Sequence, residues 1–211
     1  MNCGLQSDFF VIHSRVTAWP YIQASTDRRS NSVKHALSAR ALTEIALGAA
    51  LMVICTLISV PAAVPFTLQT FGVFVILVIL GARRGTLAVA LYLLLGLAGL
   101  PVFSGGRGGP GALFGPTGGY MLGFLLTGLC YFLYERFGAE RPVAQTASLA
   151  MGLLLCYIFG TAWFIRVYTR EITLSGALAL CVWPFILPDL AKLAVALLVG
   201  RRVRKALHTH Q

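Results

Sequence analysis

Apolar residues run in six long segments, at about 41–60, 66–80, 86–100, 117–134, 144–165 and 174–199, with polar and helix-breaking residues gathered between them. A helix that crosses a bilayer needs about 20 mainly apolar residues. These segments approach that length, and they lack the short alternating runs of a membrane β-barrel. The pattern predicts an all-α integral membrane protein with six transmembrane helices. Pro61 and Pro65 end the first segment, because proline has no amide donor and restricts the residue before it. The run Gly81-Ala82-Arg83-Arg84-Gly85 separates the second segment from the third. The polar turn 135–141, closed by Pro142, and the loop 166–173 bound the fifth, and Pro184, Pro188 and Asp189 interrupt the sixth.

The stretch 100–124 stands out, with nine glycines and three prolines. Both residue types disfavour a helix interior, so this connection is expected to be irregular. Two uses fit it. Small residues allow close helix approach, or irregular backbone lines a cavity and covers a ligand.

Residues 1–38 hold no long apolar run and no apolar core of a secretory signal. They are expected to form a cytoplasmic extension, with Phe9, Phe10, Trp19 and Tyr21 either on the membrane surface or in a disordered tail. The membrane domain is expected over 39–200, followed by a basic tail at 201–211.

Composition supports the membrane reading: 57% of residues are hydrophobic and only 11% charged, against about 25% charged in soluble domains. The net charge of +10 then bears on orientation rather than on a nucleic-acid partner, because basic residues collect in cytoplasmic loops. Arg28, Arg29, Lys34, Arg40, Arg83, Arg84, Arg136, Arg141, Arg201, Arg202, Arg204 and Lys205 fall on one side, and Arg107, Arg166 and Arg170 on the other. Both termini are therefore expected in the cytoplasm, with the Gly/Pro stretch outside.

Enzymatic machinery is sparse. None of the four histidines lies in a predicted span. There is no HExxH zinc motif, no phosphate-binding GxxxxGK[ST] loop and no GxSxG elbow. The five cysteines are scattered without metal-ligand spacing. No cofactor or metal is expected, and the chain does not read as an enzyme.

The polar residues inside the spans carry the chemistry. Asp189 and Lys192, three apart, share one helix face. Ionisable groups within a membrane segment are costly and by default face a bundle interior or a functional cavity; the alternative is an ion pair that only fixes packing. Simple alternation of spans sets this pair level with Thr67 and Gln69 and with the Gly/Pro stretch.

Four stretches then resemble the BioY biotin-transport family, the substrate-binding S components of energy-coupling factor (ECF) importers: VPFTLQT (64–70), GLPVFSGG (99–106), GPTGGYMLGF (115–124) and WPFILPDLAK (183–192). The resemblance covers about 40–200. It departs in the N-terminal extension and at Leu187, where relatives often carry a Pro-Gly-Asp-like turn. It implies a biotin-binding membrane subunit with a pocket near the outer face, closed by loops. Asp189 would accept from the ureido N–H groups, and Lys192 would neutralise Asp189 or bond the ureido oxygen. Arg107 would meet the tail carboxylate or remain a solvated loop arginine. Tyr120, Phe66, Phe103 and Trp183 would wall the rings, with Thr67, Gln69, Thr117, Gly118 and Gly119 completing the site. The implied partners are a transmembrane scaffold subunit and two ABC ATPases, and Ala46 and Ala50 offer a small-residue face for the scaffold or for another span. An ion-coupled secondary transporter of a small carboxylated solute, with Asp189 as coupling group, is the alternative.

Overall fold

In a computed structural model, residues 38–61, 64–137, 141–168 and 172–209 are described. The expected N-terminal extension therefore lies almost wholly outside the described residues. The chain divides into two units, Met1–Leu42 and Thr43–Gln211. Of the first only 38–42 are described, as the opening turn of a helix in which Ser38 Oγ accepts from the Ala41 N–H at 3.2 Å.

The elements in chain order are α1 (Ala39–Leu57), β1 (Ser59–Val60), β2 (Phe66–Thr67), α2 (Gln69–Leu97), α3 (Pro110–Leu113), α4 (Gly118–Arg136), α5 (Pro142–Val167), α6 (Leu174–Cys181) and α7 (Trp183–Thr209). The protein is thus mostly helical. Among the described residues, four helical stretches are long and apolar enough to cross a membrane: Ala39–Leu57, Gln69–Leu97, Pro142–Val167 and Leu174–Leu207.

The second and third apolar segments form a tight helical hairpin within α2. Gly81, at φ 79° and ψ 172°, is the whole turn, and a side chain there would sit in a region that L-residues rarely adopt. Beyond it the chain folds back, so that a Cβ on Gly85 would stand 3.0 Å from Leu77 Cα. Glu135 at the end of α4 accepts from the Ala82 N–H at 2.9 Å, satisfying a donor at the start of the returning helix. The expected loop 81–85 is therefore corrected to a single residue, and Arg83 and Arg84 are helical. Arg84 pairs with Glu44 of α1 at 2.6 Å.

One further boundary differs from expectation. The break in the last span falls at Val182 (φ −121°, ψ −59°), and α7 runs through Pro184, Pro188 and Asp189. Pro184 occupies the first turn, where no intrahelical N–H is required. At its other end α7 continues as helix through Arg201 to Lys205 as far as Thr209.

The core lies between α1, both arms of α2, α4, α5 and α7, with Met52, Val73, Phe74, Leu77, Tyr92, Tyr131 and Leu149 among its buried members. Helices α4 and α5 approach closely through small residues. A Cβ on Gly123 would stand 2.8 Å from Cys156 Sγ, and one on Gly152 2.7 Å from Thr127 Cα.

The Gly/Pro connection is well organised. Phe103 and Arg107 form an antiparallel bridge around Gly105 and Gly106, both with positive φ. The Phe103 ring lies directly on Gly96 of α2, and the Gly109 N–H donates to Gly96 O at 2.7 Å.

Candidate functional site

The ionisable residues of the last span form one buried network. Asp189 and Lys192 are 3% and 8% exposed, and Lys192 Nζ donates to Asp189 Oδ1 at 2.8 Å. The same ammonium donates to the Thr67 carbonyl at 2.7 Å and to Thr70 Oγ1 at 3.3 Å. All three of its donors are thereby used. Its charge also lies 4.2 Å from the centroid of the Phe66 ring, a favourable cation–π arrangement. Thr70 Oγ1 passes its own proton to Asp189 Oδ1 at 2.9 Å, and Tyr157 Oη donates to Asp189 Oδ2 at 2.6 Å.

Local structure explains why these groups meet. The β1–β2 pair holds Thr67 opposite Ser59, aiming its carbonyl at α7. Thr70, in the first turn of α2, follows directly. Asp189 and Lys192 fall on the same face of α7, and Tyr157 reaches them from α5. Burying a charge is costly unless it is paired and hydrogen-bonded, and here both conditions hold.

Above this network lies a cavity lined by 20 residues from the 64–70 and 103–124 stretches, α5, α6 and α7. About 780 Å³ of space lies between its atoms, its open mouth included. Asp189, Lys192, Thr67, Gln69, Phe103, Arg107, Thr117 and Tyr120 all line it. Tyr120 Oη is tied to Thr161 Oγ1 at 2.9 Å, and Gln69 Nε2 donates to Tyr92 Oη at 3.0 Å. Arg107 is exposed at the mouth, its Nε donating to Ser104 O at 3.0 Å. Polar groups thus converge at the foot, a cation stands at the rim, and aromatic and aliphatic walls lie between. Small-molecule sites are commonly built this way.

Other expected positions lie elsewhere. Phe66 is beneath Lys192 and stacks on Phe185 with centroids 6.0 Å apart; it is Phe185 that lines the cavity. Trp183 is 68% exposed and does not line the cavity, because the break at Val182 turns it outward. Gly118 and Gly119 are buried helix-packing positions beside the cavity wall: Gly118 abuts the Leu113 carbonyl and Gly119 the Trp163 side chain. Ala46 and Ala50 are exposed on α1, away from the cavity.

Sequence reasoning missed Thr70, Tyr157 and Phe185. Thr70 and Phe185 sit inside motifs already singled out, three residues after Thr67 and one helical turn before Asp189 respectively. Tyr157 offered only a weak signal, a single hydroxyl in an apolar span. Among the described residues no cluster of three or more His, Cys, Asp or Glu is placed to hold a metal ion.

The described site can be set beside known proteins. A model of the BioY family matches residues 28–209. The chain belongs to the BioY family. This BioY-family chain is 41% identical over 167 residues to the biotin transporter BioY of Thermotoga maritima, covering 79% of this chain and 96% of that one. It is 37% identical over 174 residues to the biotin transporter BioY2 of Lactococcus lactis, covering 81% and 93%. Its fold is similar to a crystal structure of the S-component for biotin from an ECF-type ABC transporter, with TM-score 0.70 and 29% identity over 79% of this chain and 91% of that one. The family match over 28–209 takes in the cavity and every element that builds it.

Proposed function

We propose that this chain binds biotin in the cavity above Asp189 and mediates its uptake, driven by a partner ATPase module of the ECF type. The observation that carries this reading is the buried Asp189–Lys192 network at the foot of a cavity with Arg107 at its rim, in a chain of the BioY family. Biotin carries a ureido ring with two N–H donors and one carbonyl, an apolar thioether ring and a carboxylate tail. The Asp189 carboxylate is the natural acceptor for a ureido N–H, since hydrogen bonds to a charged group are the stronger ones. Lys192 holds that carboxylate in place through its 2.8 Å contact. The aromatic and aliphatic wall suits the thioether ring, and the Arg107 guanidinium suits the tail.

Orientation follows in the same reading. The Gly81 turn, Arg84, Arg201 and Arg204 all lie at the end of the bundle opposite the cavity. Cytoplasmic termini therefore put the cavity outside. Ligand enters from that side, the 103–117 segment closes over it, and the protein tilts against a scaffold subunit to release it inward. The exposed small-residue face at Ala46 and Ala50 suits close approach of a scaffold helix. Two ABC ATPases on that scaffold supply the energy.

Titration calorimetry of the purified chain with biotin and with desthiobiotin tests the binding step. Saturable heat with biotin, and competition by desthiobiotin, is the expected result; no heat overturns the reading. Uptake by the chain alone in proteoliposomes, abolished by an ionophore, would point instead to ion-coupled transport.

A further inference from the structure

We propose that the apolar groove between α5 and the α6–α7 pair binds one acyl chain of a phospholipid, with the lipid phosphate at Arg166. This site is separate from the cavity above Asp189, and the proposal does not depend on which ligand that cavity takes.

Both walls of the groove belong to stretches apolar and long enough to cross a membrane, Pro142–Val167 and Leu174–Leu207, so hydrocarbon is the medium it faces. Its lining carries two hydroxyls, and both are already engaged: Tyr157 Oη with Asp189 and Thr161 Oγ1 with Tyr120. The groove thus offers an occupant no free polar partner. About 1230 Å³ of space lies along it, its open side included.

The rim argues for a lipid chain over a partner helix. Membrane helices pack closely where small residues let backbones approach. Here the side chains lining the slot include Ile158, Leu178, Ile186 and Leu190, all large, with Ile158 and Leu190 exposed at its open side. On α5 the lining runs from Ala150 to Ile165, about 22 Å at 1.5 Å per residue. That accommodates one extended chain within a hydrocarbon core of about 30 Å. Arg166 follows at the end of the slot and is exposed. A long basic side chain near a span end reaches the interface, where a phospholipid phosphate offers it a charge-assisted hydrogen bond.

The position also has a consequence. Leu153 and Tyr157 line both the groove and the cavity, so a chain in the groove packs against the back of the side chain that holds Asp189.

The test uses the full chain purified in detergent, with dioleoylphosphatidylglycerol added and retained lipid counted by native mass spectrometry. One tightly retained lipid is expected. Ala162→Trp, which fills the slot, should lower retention at least tenfold, while Ala46→Trp, the same change on the exposed face of α1, leaves it unaltered. Arg166→Glu should lower retention of phosphatidylglycerol several-fold more than retention of dioleoylglycerol, which has no phosphate. Thermal unfolding of each variant shows whether it is folded. Equal retention by wild type and Ala162→Trp, or equal loss in both tryptophan variants, overturns the proposal. So does a photoreactive side chain at position 162 that captures the scaffold subunit instead of lipid in native membranes.

Discussion

Tyr157 on α5 donates its hydroxyl to Asp189 Oδ2 on α7 across 2.6 Å, while Lys192 and Thr70 occupy the other carboxylate oxygen. The carboxylate is therefore gripped from three sides. One lone pair on Oδ2 is left for a further donor, since each carboxylate oxygen accepts about two hydrogen bonds.

On the proposed reading Tyr157 positions Asp189 as the acceptor for the ligand. Tyr157→Phe keeps the ring in the cavity wall but releases one carboxylate oxygen. Biotin affinity is expected to fall about tenfold, or about 1.4 kcal/mol, with little change in melting temperature. Calorimetry checks this. A rise in affinity would mean that the hydroxyl competes with the ligand instead of preparing its acceptor.

On the proposed reading Asp189 and Lys192 serve both binding and stability, and a paired substitution separates the two. Asp189→Asn should weaken biotin binding by about 1.5–3 kcal/mol. It should also lower stability by about 3–5 kcal/mol, because it leaves a buried ammonium without its counter-charge. Adding Lys192→Met removes the stranded charge, so stability should recover while binding stays weak. Melting curves and calorimetry on the two variants decide it. Recovery of both together would show that the pair only fixes packing.

How far the sequence led depended on how local each signal was. Span positions were legible because bilayer thickness sets the length of an apolar run, and Asp189 and Lys192 were legible because charge in such a run is rare. The turn at Gly81 was not. Five consecutive small or basic residues read as a loop, but the chain needs only one residue with positive φ, and Glu135, 54 positions later, supplies the cap. The outward turn of Trp183 was hidden for a related reason. Its two neighbouring prolines suggested a break at or after them, whereas the helix breaks at Val182 before them. Tyr157 was missed because its role exists only in three dimensions.

The Gly81 turn yields a test of stability alone. Gly81→Ala forces an L-residue to φ 79° and sets its Cβ 3.2 Å from Glu135 Oε1, disturbing the cap on Ala82. Strain of this kind costs about 1–3 kcal/mol. The melting temperature should fall while biotin affinity in the folded protein is retained, because the turn lies at the far end of the bundle from the cavity. An unchanged melting temperature would show that the hairpin tolerates another backbone path at this point.

Arg107 gives the most direct reading of how a ligand is oriented. It stands exposed at the cavity mouth, held by the Ser104 carbonyl at 3.0 Å, on a hairpin whose base is fixed by the Phe103 ring on Gly96. Its position is thus set by a buried anchor although the guanidinium itself meets solvent. In the proposed pose, with the ureido ring at Asp189, the carboxylate tail would point towards this rim. Arg107→Ala should then reduce affinity for biotin about tenfold, and affinity for biotin amide, which lacks the tail charge, far less. Raising the salt concentration should shrink the difference between the two ligands, because the contact is partly solvated. Equal losses for the acid and the amide would remove Arg107 from the ligand's surroundings and leave it as a loop residue that shapes the hairpin.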